Sequence, residues 1–461
     1  MYHILVKDQQ IWEEEPVLLT TSELVFGKGL PATAGEHHRK QRKMLTPVFS
    51  AAHLRDMTPI FYDIVKKLSN TLAKIASPGE QEIDMLSWSS RTALELIGQS
   101  GLGYSFDPLT DEACAHPYPA ALKALLPLYG STVSTRKFFH PLVKVLPRRL
   151  LRFFACRLPM RDLQHLRKLA DYMWELSTEI YQGKLRALEA GDEAVHAQVS
   201  RGKDIMSVLM NENMKASDEE KLDEDELIGQ SLEQMSTLIF AAMDTTSSAL
   251  ARTFHLLAQN PEVQSKLRQE LREAREAQGG EDVPYDVLVA LPYLDAICRE
   301  TLRLYAPASR VMRQSTQTAI VPLSTPVRCT DGSVINEITV PADTNVLIDI
   351  VNANRNPELW GPDAMEWKPE RWLSSLPSTV SEAKTPGIYS HLMTFIGGGR
   401  SCIGFKFSQL EMKVVLFQLM EIFELRPADK EIYWQSNPVA NPVIKGEPQA
   451  AKLPIRISLA N

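Results

Sequence analysis

"FIGGGRSCIG" occupies residues 395–404, and its reading decides how the rest of the chain is understood. Three consecutive glycines precede an arginine, a lone cysteine follows two residues later, and an apolar helical run begins at Phe405. The spacing is not that of a phosphate loop. Gly399 and Gly404 stand at the right separation, but Phe405 follows where lysine is required. It is not a dinucleotide turn either, because Cys402 falls where the last glycine belongs. A hydrolytic cysteine wants a histidine and an oxyanion hole, which the sequence neither supplies nor excludes.

A flat, bulky dianion with a metal at its centre accounts for each feature. Glycines let the backbone lie close to a plane. A cysteine at a helix start is biased towards thiolate by backbone N–H groups and the helix dipole. Arg400 reaches over the edge to a carboxylate, and Phe395 shields the sulfur from water. These are the requirements of a haem iron held by thiolate. At this point the sequence resembles the cytochrome P-450 haem-thiolate monooxygenases. Their signature FxxGxRxCxG is met in full by Phe395, Gly398, Arg400, Cys402 and Gly404.

Composition agrees with a large globular core and excludes several classes. The 461 residues are 44% hydrophobic and 23% charged. A net charge of −7 argues against a general nucleic-acid binder. The five cysteines are scattered and form no CxxC pair, so a disulfide framework or structural zinc site is not expected and a reducing compartment is. No apolar run has the length of a membrane span, and the charged N-terminus lacks a signal-peptide layout.

The expected fold is mainly α with a small β region. Apolar residues recur at helical spacing in "MTPIFYDIVKKLSNTLAKIA" and from Leu163 to Leu188. A long helix is expected from about Glu224 to Gln259, ending at Asn260-Pro261, after an acidic hinge over 216–227. "LPYLDAICRETLRLYAP" reads as another helix ending before Pro307. Only residues 326–351 read as sheet, with a hairpin turn at Asp331-Gly332. Residues 136–161 carry eight Lys/Arg and no acid among Phe, Leu and Val. They read equally as short surface helices or as a patch resting on an anionic membrane.

The resemblance spans the chain as one haem domain, residues 1–461, and implies further roles. "RETLRLYAP" resembles the family's ExxR helix, which places Glu300 and Arg303 in a network with Arg371 of "WKPERW". "LIFAAMDTTSSAL" resembles its oxygen-binding stretch, with Thr245 as the hydroxyl at that groove and Asp244 as proton source; Ala242 stands where glycine is usual. His38, Arg42 and Arg313 join Arg400 as donors to the haem propionates, and His255 and His391 receive no role. Substrate contacts are expected near Ala242, Thr246 and Ala308–Val311.

The implied cofactor is haem b with an axial thiolate from Cys402. The implied substrate is a lipophilic small molecule of secondary metabolism or detoxification. Electrons would come from an NADPH-cytochrome P-450 reductase-type flavoprotein docking near Lys406 and Lys413. The resemblance also implies residence at the cytosolic face of the endoplasmic reticulum with a peripheral membrane contact. "MYHILVKDQQIW" looks like the family's B-helix region, so the anchor, hinge and first strands of microsomal relatives are expected to be missing. Two other readings keep these residues but change the outcome: an O2-independent isomerase or dehydratase, or a truncated, non-catalytic chain.

Overall fold

Long amphipathic helices carry most of the chain in the computed structural model, which describes residues 1–110, 116, 118, 123, 128, 141–143, 145–190, 204–207, 224–437, 439–447 and 450–460. The principal helices are α1 (Pro16–Phe26), α2 (Gly35–Leu45), α3 (Ala51–Ala76), α4 (Met85–Ile97), α5 (Arg148–Ala155), α6 (Arg161–Ala190), α7 (Glu224–Gln259), α8 (Pro261–Ala277), α9 (Pro292–Leu304) and α10 (Phe405–Ile422).

Local chemistry explains several helix ends. Ser50 caps α3 by accepting from the His53 N–H, and Asp84 caps α4 by accepting from Leu86 and Ser87. Along α3, Leu54, Phe61, Val65, Leu68 and Leu72 repeat at steps of three, four and seven, and all are buried. They meet Leu250 and Phe254 of α7, Leu294 and Leu302 of α9, and Leu410 and Phe417 of α10 in one apolar cluster. Burying each such side chain contributes about 1.5–3 kcal/mol. That core fixes α7 and α10, the two helices that flank Cys402. All four expected helices are present, and α7 has the expected bounds. Residues 216–223 of the acidic hinge lie outside the described residues.

The sheet content exceeds the expectation. The described residues form four small antiparallel groups: β1 (Trp12–Glu13), β3 (Arg310–Ser315) and β6 (Asn345–Asp349) in the order β1-β3-β6; β2 (Gln81–Asp84), β7 (Phe423–Pro427) and β10 (Pro454–Leu459) in the order β2-β10-β7; β4 (Ala319–Arg328) with β5 (Val334–Val340); and β8 (Ile432–Asn437) with β9 (Val439–Ile444). The hairpin at Asp331-Gly332 is present, with Gly332 at φ +86°. The strands outside 326–351 were not expected because they are short and, except for the β8–β9 hairpin, pair with partners far away in the chain. β2 pairs residue by residue with β10 at the other end of the chain. Two to six residues carry too little alternation to be told from loop.

The N-terminal stretch, expected to resemble a B-helix region, opens with a short helical segment. His3–Lys7 form a single π-type turn, and the chain then enters β1, where Trp12 pairs with Ser315 and Glu13 with Gln314. Tertiary contacts explain this. The Leu5 carbonyl and the Gln9 side chain are both used against the loop that carries Cys402.

Candidate active site

The cysteine loop is held by its own backbone and by the N-terminal segment. Cys402 N–H donates to the Phe395 carbonyl at 3.0 Å, and Ser401 N–H to Gly398 at 3.1 Å. Gly398 sits at φ +78°, and a Cβ there would overlap the Leu5 carbonyl oxygen. The Gly399 N–H donates to Gln9 Oε1 at 2.6 Å. The glycine run is therefore needed for close packing of backbone on backbone.

Cys402 borders a cavity of about 220 Å³. Phe395, Ile396 and Arg400 line it beside the cysteine, and Thr245, Thr246 and Ala249 line it from α7. Pro307, Ala308 and Val311 complete one side. Phe395 is wedged between Tyr389 and Phe405, at 5.6 and 6.1 Å between ring centroids. Cys402 is open to that cavity, while desolvation by the surrounding protein pushes its thiol up, against the pull of the Gly404 N–H and the Arg42 guanidinium. The bias towards thiolate expected from the helix start is thus outweighed by desolvation in the protein alone.

The expected cationic residues converge on this loop. Arg42 on α2 donates to the Ser401 carbonyl at 2.6 Å and to Ser401 Oγ at 2.9 Å. Arg400 donates to Glu13 Oε2 at 2.9 Å and to the Thr33 carbonyl at 2.8 Å. Arg313 on β3 is buried and lies 2.7 Å from Glu14 Oε1. His38 is buried within reach of all three arginines. Burial, then Arg400, Arg42 and Arg313, lower its pKa to about 4, so its imidazole is neutral at pH 7. Glu13 and Glu14 were not legible as site residues; the only signal was three acids in a row after Trp12.

The α7 residues divide. Thr245 faces the cavity, with its hydroxyl donating to the Ala241 carbonyl at 2.7 Å. Asp244 does not line it. Its Oδ1 accepts from Lys123 Nζ at 2.9 Å, and Oδ2 has no partner among the described residues. Lys123 also donates to Asn441 Oδ1 on β9 at 3.3 Å. Lys123 was missed, although an isolated cation in "PAALKALLPL" is the complement of an isolated acid in α7. Of the expected substrate contacts, Thr246, Ala308 and Val311 line the cavity, whereas Ala242 packs against the main core.

Beneath the loop, Glu300 and Arg303 on α9 are wholly buried and paired through two hydrogen bonds of 2.8 Å. Arg371 Nε lies 3.4 Å from Glu300 Oε1, and Trp372 Nε1 donates to Glu300 Oε2 at 2.9 Å. Arg303 also donates to the carbonyls of Asn354, Ala364 and Glu366. These bonds satisfy the desolvated charges mutually.

Lys413 requires a correction. It is buried on α10, with Nζ donating to the Val289 carbonyl and Asp295 at 2.7 Å each, and offers nothing to a docking protein. Lys40 and Lys43 are exposed on α2, the helix whose Arg42 contacts the cysteine loop. A larger groove of about 760 Å³ lies away from Cys402, between α1, α5 and the start of α6, and contains none of the charged cluster above.

The residues present suit a flat dianion carrying a metal: a thiol, two threonines and Arg400 line one cavity, and Arg42 and Arg313 stand in the charged cluster beside it. Comparisons agree. The family model for cytochrome P450 matches residues 1–442. Cytochrome P450 monooxygenase 91 of Postia placenta is 50% identical over 98% of this chain and 82% of its own length. Ganoderic acid synthetase of Ganoderma lucidum is 48% identical over 96% of this chain and 81% of its own. A crystal structure of a cytochrome P450 superposes with a TM-score of 0.73 at 23% identity, covering 98% of this chain and 89% of that one. With the cysteine signature in place, the Glu300–Arg303–Arg371 network assembled and nearly the whole length matched, this chain belongs to the cytochrome P450 family of haem monooxygenases.

Proposed function

We propose that Cys402, as thiolate, would hold the iron of haem b, and that the chain oxidises a lipophilic small molecule of fungal secondary metabolism. The observation that carries this reading is that Cys402, Thr245 and Arg400 line one cavity, the threonine from α7 and the other two from the cysteine loop. Bound haem would supply the activation of dioxygen. The metal's charge would favour the thiolate that burial alone disfavours. Arg400, Arg42 and Arg313, with His38, would bind the propionates, and Phe395 would exclude water from the sulfur. Thr246, Ala308 and Val311 would orient the substrate. Thr245 would hold a proton donor at the cavity wall, and Asp244, held by Lys123, would supply protons from behind it. Kinship with a ganoderic acid synthetase supports a secondary-metabolic substrate.

Electrons would arrive from an NADPH-dependent flavoprotein reductase docking over Lys40, Lys43 and Lys406. The chain would work at the cytosolic face of the endoplasmic reticulum. No described helix is long and apolar enough to cross a membrane. Exposed Val145, Leu150, Phe153 and Phe154, with Arg157 over the Phe153 ring, would form a peripheral contact.

The test is the spectrum of the reduced, CO-bound protein. A strongly red-shifted Soret band in the parent, lost in Cys402→Ser, is expected. An unchanged band in the variant overturns the ligand assignment, and NADPH-independent turnover would favour an isomerase.

A further inference from the structure

The arginines at the cavity edge already have counter-ions. Arg400 is paired with Glu13 and Arg313 with Glu14, both from the segment that enters β1. Arg42 and neutral His38 on α2 complete the cluster. Glu15, the next acid along, faces away and accepts from Asn345 at 3.1 Å. The groups facing Glu14 are thus Arg313 on β3, Arg400 in the cysteine loop and its neighbour Glu13.

Three guanidinium charges against two carboxylates leave the cluster at about +1. A porphyrin with two ionised carboxylates would bring it to about −1, in surroundings where water screens poorly. Like charges gathered at a buried site favour the protonated form of the most buried acid. Glu14 is that acid. Burial already pushes its carboxyl up, while Arg313 and Arg400 pull it down. Haem binding engages the same two arginines and so weakens that pull.

We propose that Glu14 takes up a proton when the haem carboxylates occupy the arginine cluster, so that haem is held more tightly in mildly acidic than in alkaline solution. The proton comes from solvent and returns to it when haem leaves. This rests on the haem reading above. Protonation of Cys402 would act in the opposite direction, loosening haem as pH falls, so the two effects differ in sign.

The test is haem transfer from the purified, haem-loaded chain to apomyoglobin, followed in the Soret region between about pH 6 and 9. In the parent the release rate is expected to rise with pH, by at most about tenfold per unit for one coupled proton. Glu14→Gln should release haem at a rate nearly independent of pH, and Glu14→Asp should restore the slope. A flat profile in the parent, or an unchanged slope in Glu14→Gln, overturns the proposal alone. A purified chain with no Soret band overturns the haem reading and this one with it. Should Glu14→Gln not fold, infrared difference spectra of the haem-loaded Glu411→Gln protein, which lacks the other buried neutral carboxyl, at the two pH extremes decide. A carboxylic-acid carbonyl band lost on raising the pH supports the proposal, and its absence overturns it.

Discussion

Lys123 Nζ donates to Asp244 Oδ1 at 2.9 Å, so the one aspartate in the apolar half of α7 is held from outside its helix. Asp244 is 2% exposed and Lys123 19% in their side chains, so the pair is largely withdrawn from water. Removing one member strands the other. Lys123→Met should destabilise the protein by about 3 kcal/mol, near the lower end for breaking a buried pair because the lysine keeps some contact with solvent. The double variant Lys123→Met/Asp244→Asn should recover part of that loss. Urea unfolding of the four proteins of the cycle measures it, and additive single effects would show that the pair is not coupled.

Glu300 is the hub beneath the site, accepting from Arg303, Arg371, Trp372 and the Lys368 N–H. Arg371→Ala deletes one cation from a carboxylate that is fully buried. Glu300 would keep Arg303, so the cost should be about 2 kcal/mol, while Glu300→Gln, which leaves Arg303 uncompensated, should cost about 3–5 kcal/mol. Haem content per chain, read from the absorbance ratio of the Soret and protein bands, should fall in both. Full loading of Arg371→Ala would show that the network does not support the loop.

How much of this was legible in the sequence follows from the range of the interactions. Helices α3, α6, α7 and α9 were readable because their apolar period repeats over many turns. Cys402, Arg400 and Phe395 were readable because five fixed residues fall within ten positions. Arg42 and Arg313 stand in one charged cluster with Arg400, but their partners were not read. Ser401, Glu13 and Glu14 come from elements far away in the chain, and nothing in local pattern specifies such pairs. The β2–β10 pairing failed for the same reason. Lys413 shows the opposite error: a lysine beside the motif looked like surface, yet α10 turns it into the core towards Asp295.

Glu411 on α10 is fully buried, and neither carboxyl oxygen has a partner among the described residues. Burial raises its pKa well above the ordinary 4.5. The sign follows from linkage. Below pH 4.5 folded and unfolded chains are both protonated at this position. Above it the unfolded chain ionises while the folded one keeps its proton, so stability falls as pH rises towards the folded pKa. The slope is about 1.4 kcal/mol per pH unit while only the unfolded state is ionised. Glu411→Gln should match the parent near pH 4 and exceed it at pH 7. Equal stability of the two at both pH values, by urea unfolding, would show that the carboxyl is not held neutral.

Gly398 and Gly332 have similar backbones, φ +78° and +86°, but opposite surroundings. Around Gly332, at the β4–β5 turn, a methyl group would meet nothing within 4 Å. Gly332→Ala therefore incurs only the strain of a left-handed conformation, about 1–2 kcal/mol. At Gly398 the same methyl would overlap the Leu5 carbonyl, which belongs to backbone and cannot rotate aside. The loop and the N-terminal turn would have to separate, breaking the Gln9–Gly399 hydrogen bond and shifting Arg400 away from Glu13. Gly398→Ala should therefore lose haem loading, whereas Gly332→Ala should load fully with a slightly lower unfolding midpoint. Replacing Gln9 by Ala, which removes the hydrogen bond but creates no overlap, should fall between them. If Gly398→Ala loaded as well as Gly332→Ala, the N-terminal turn would not be what fixes the cysteine loop.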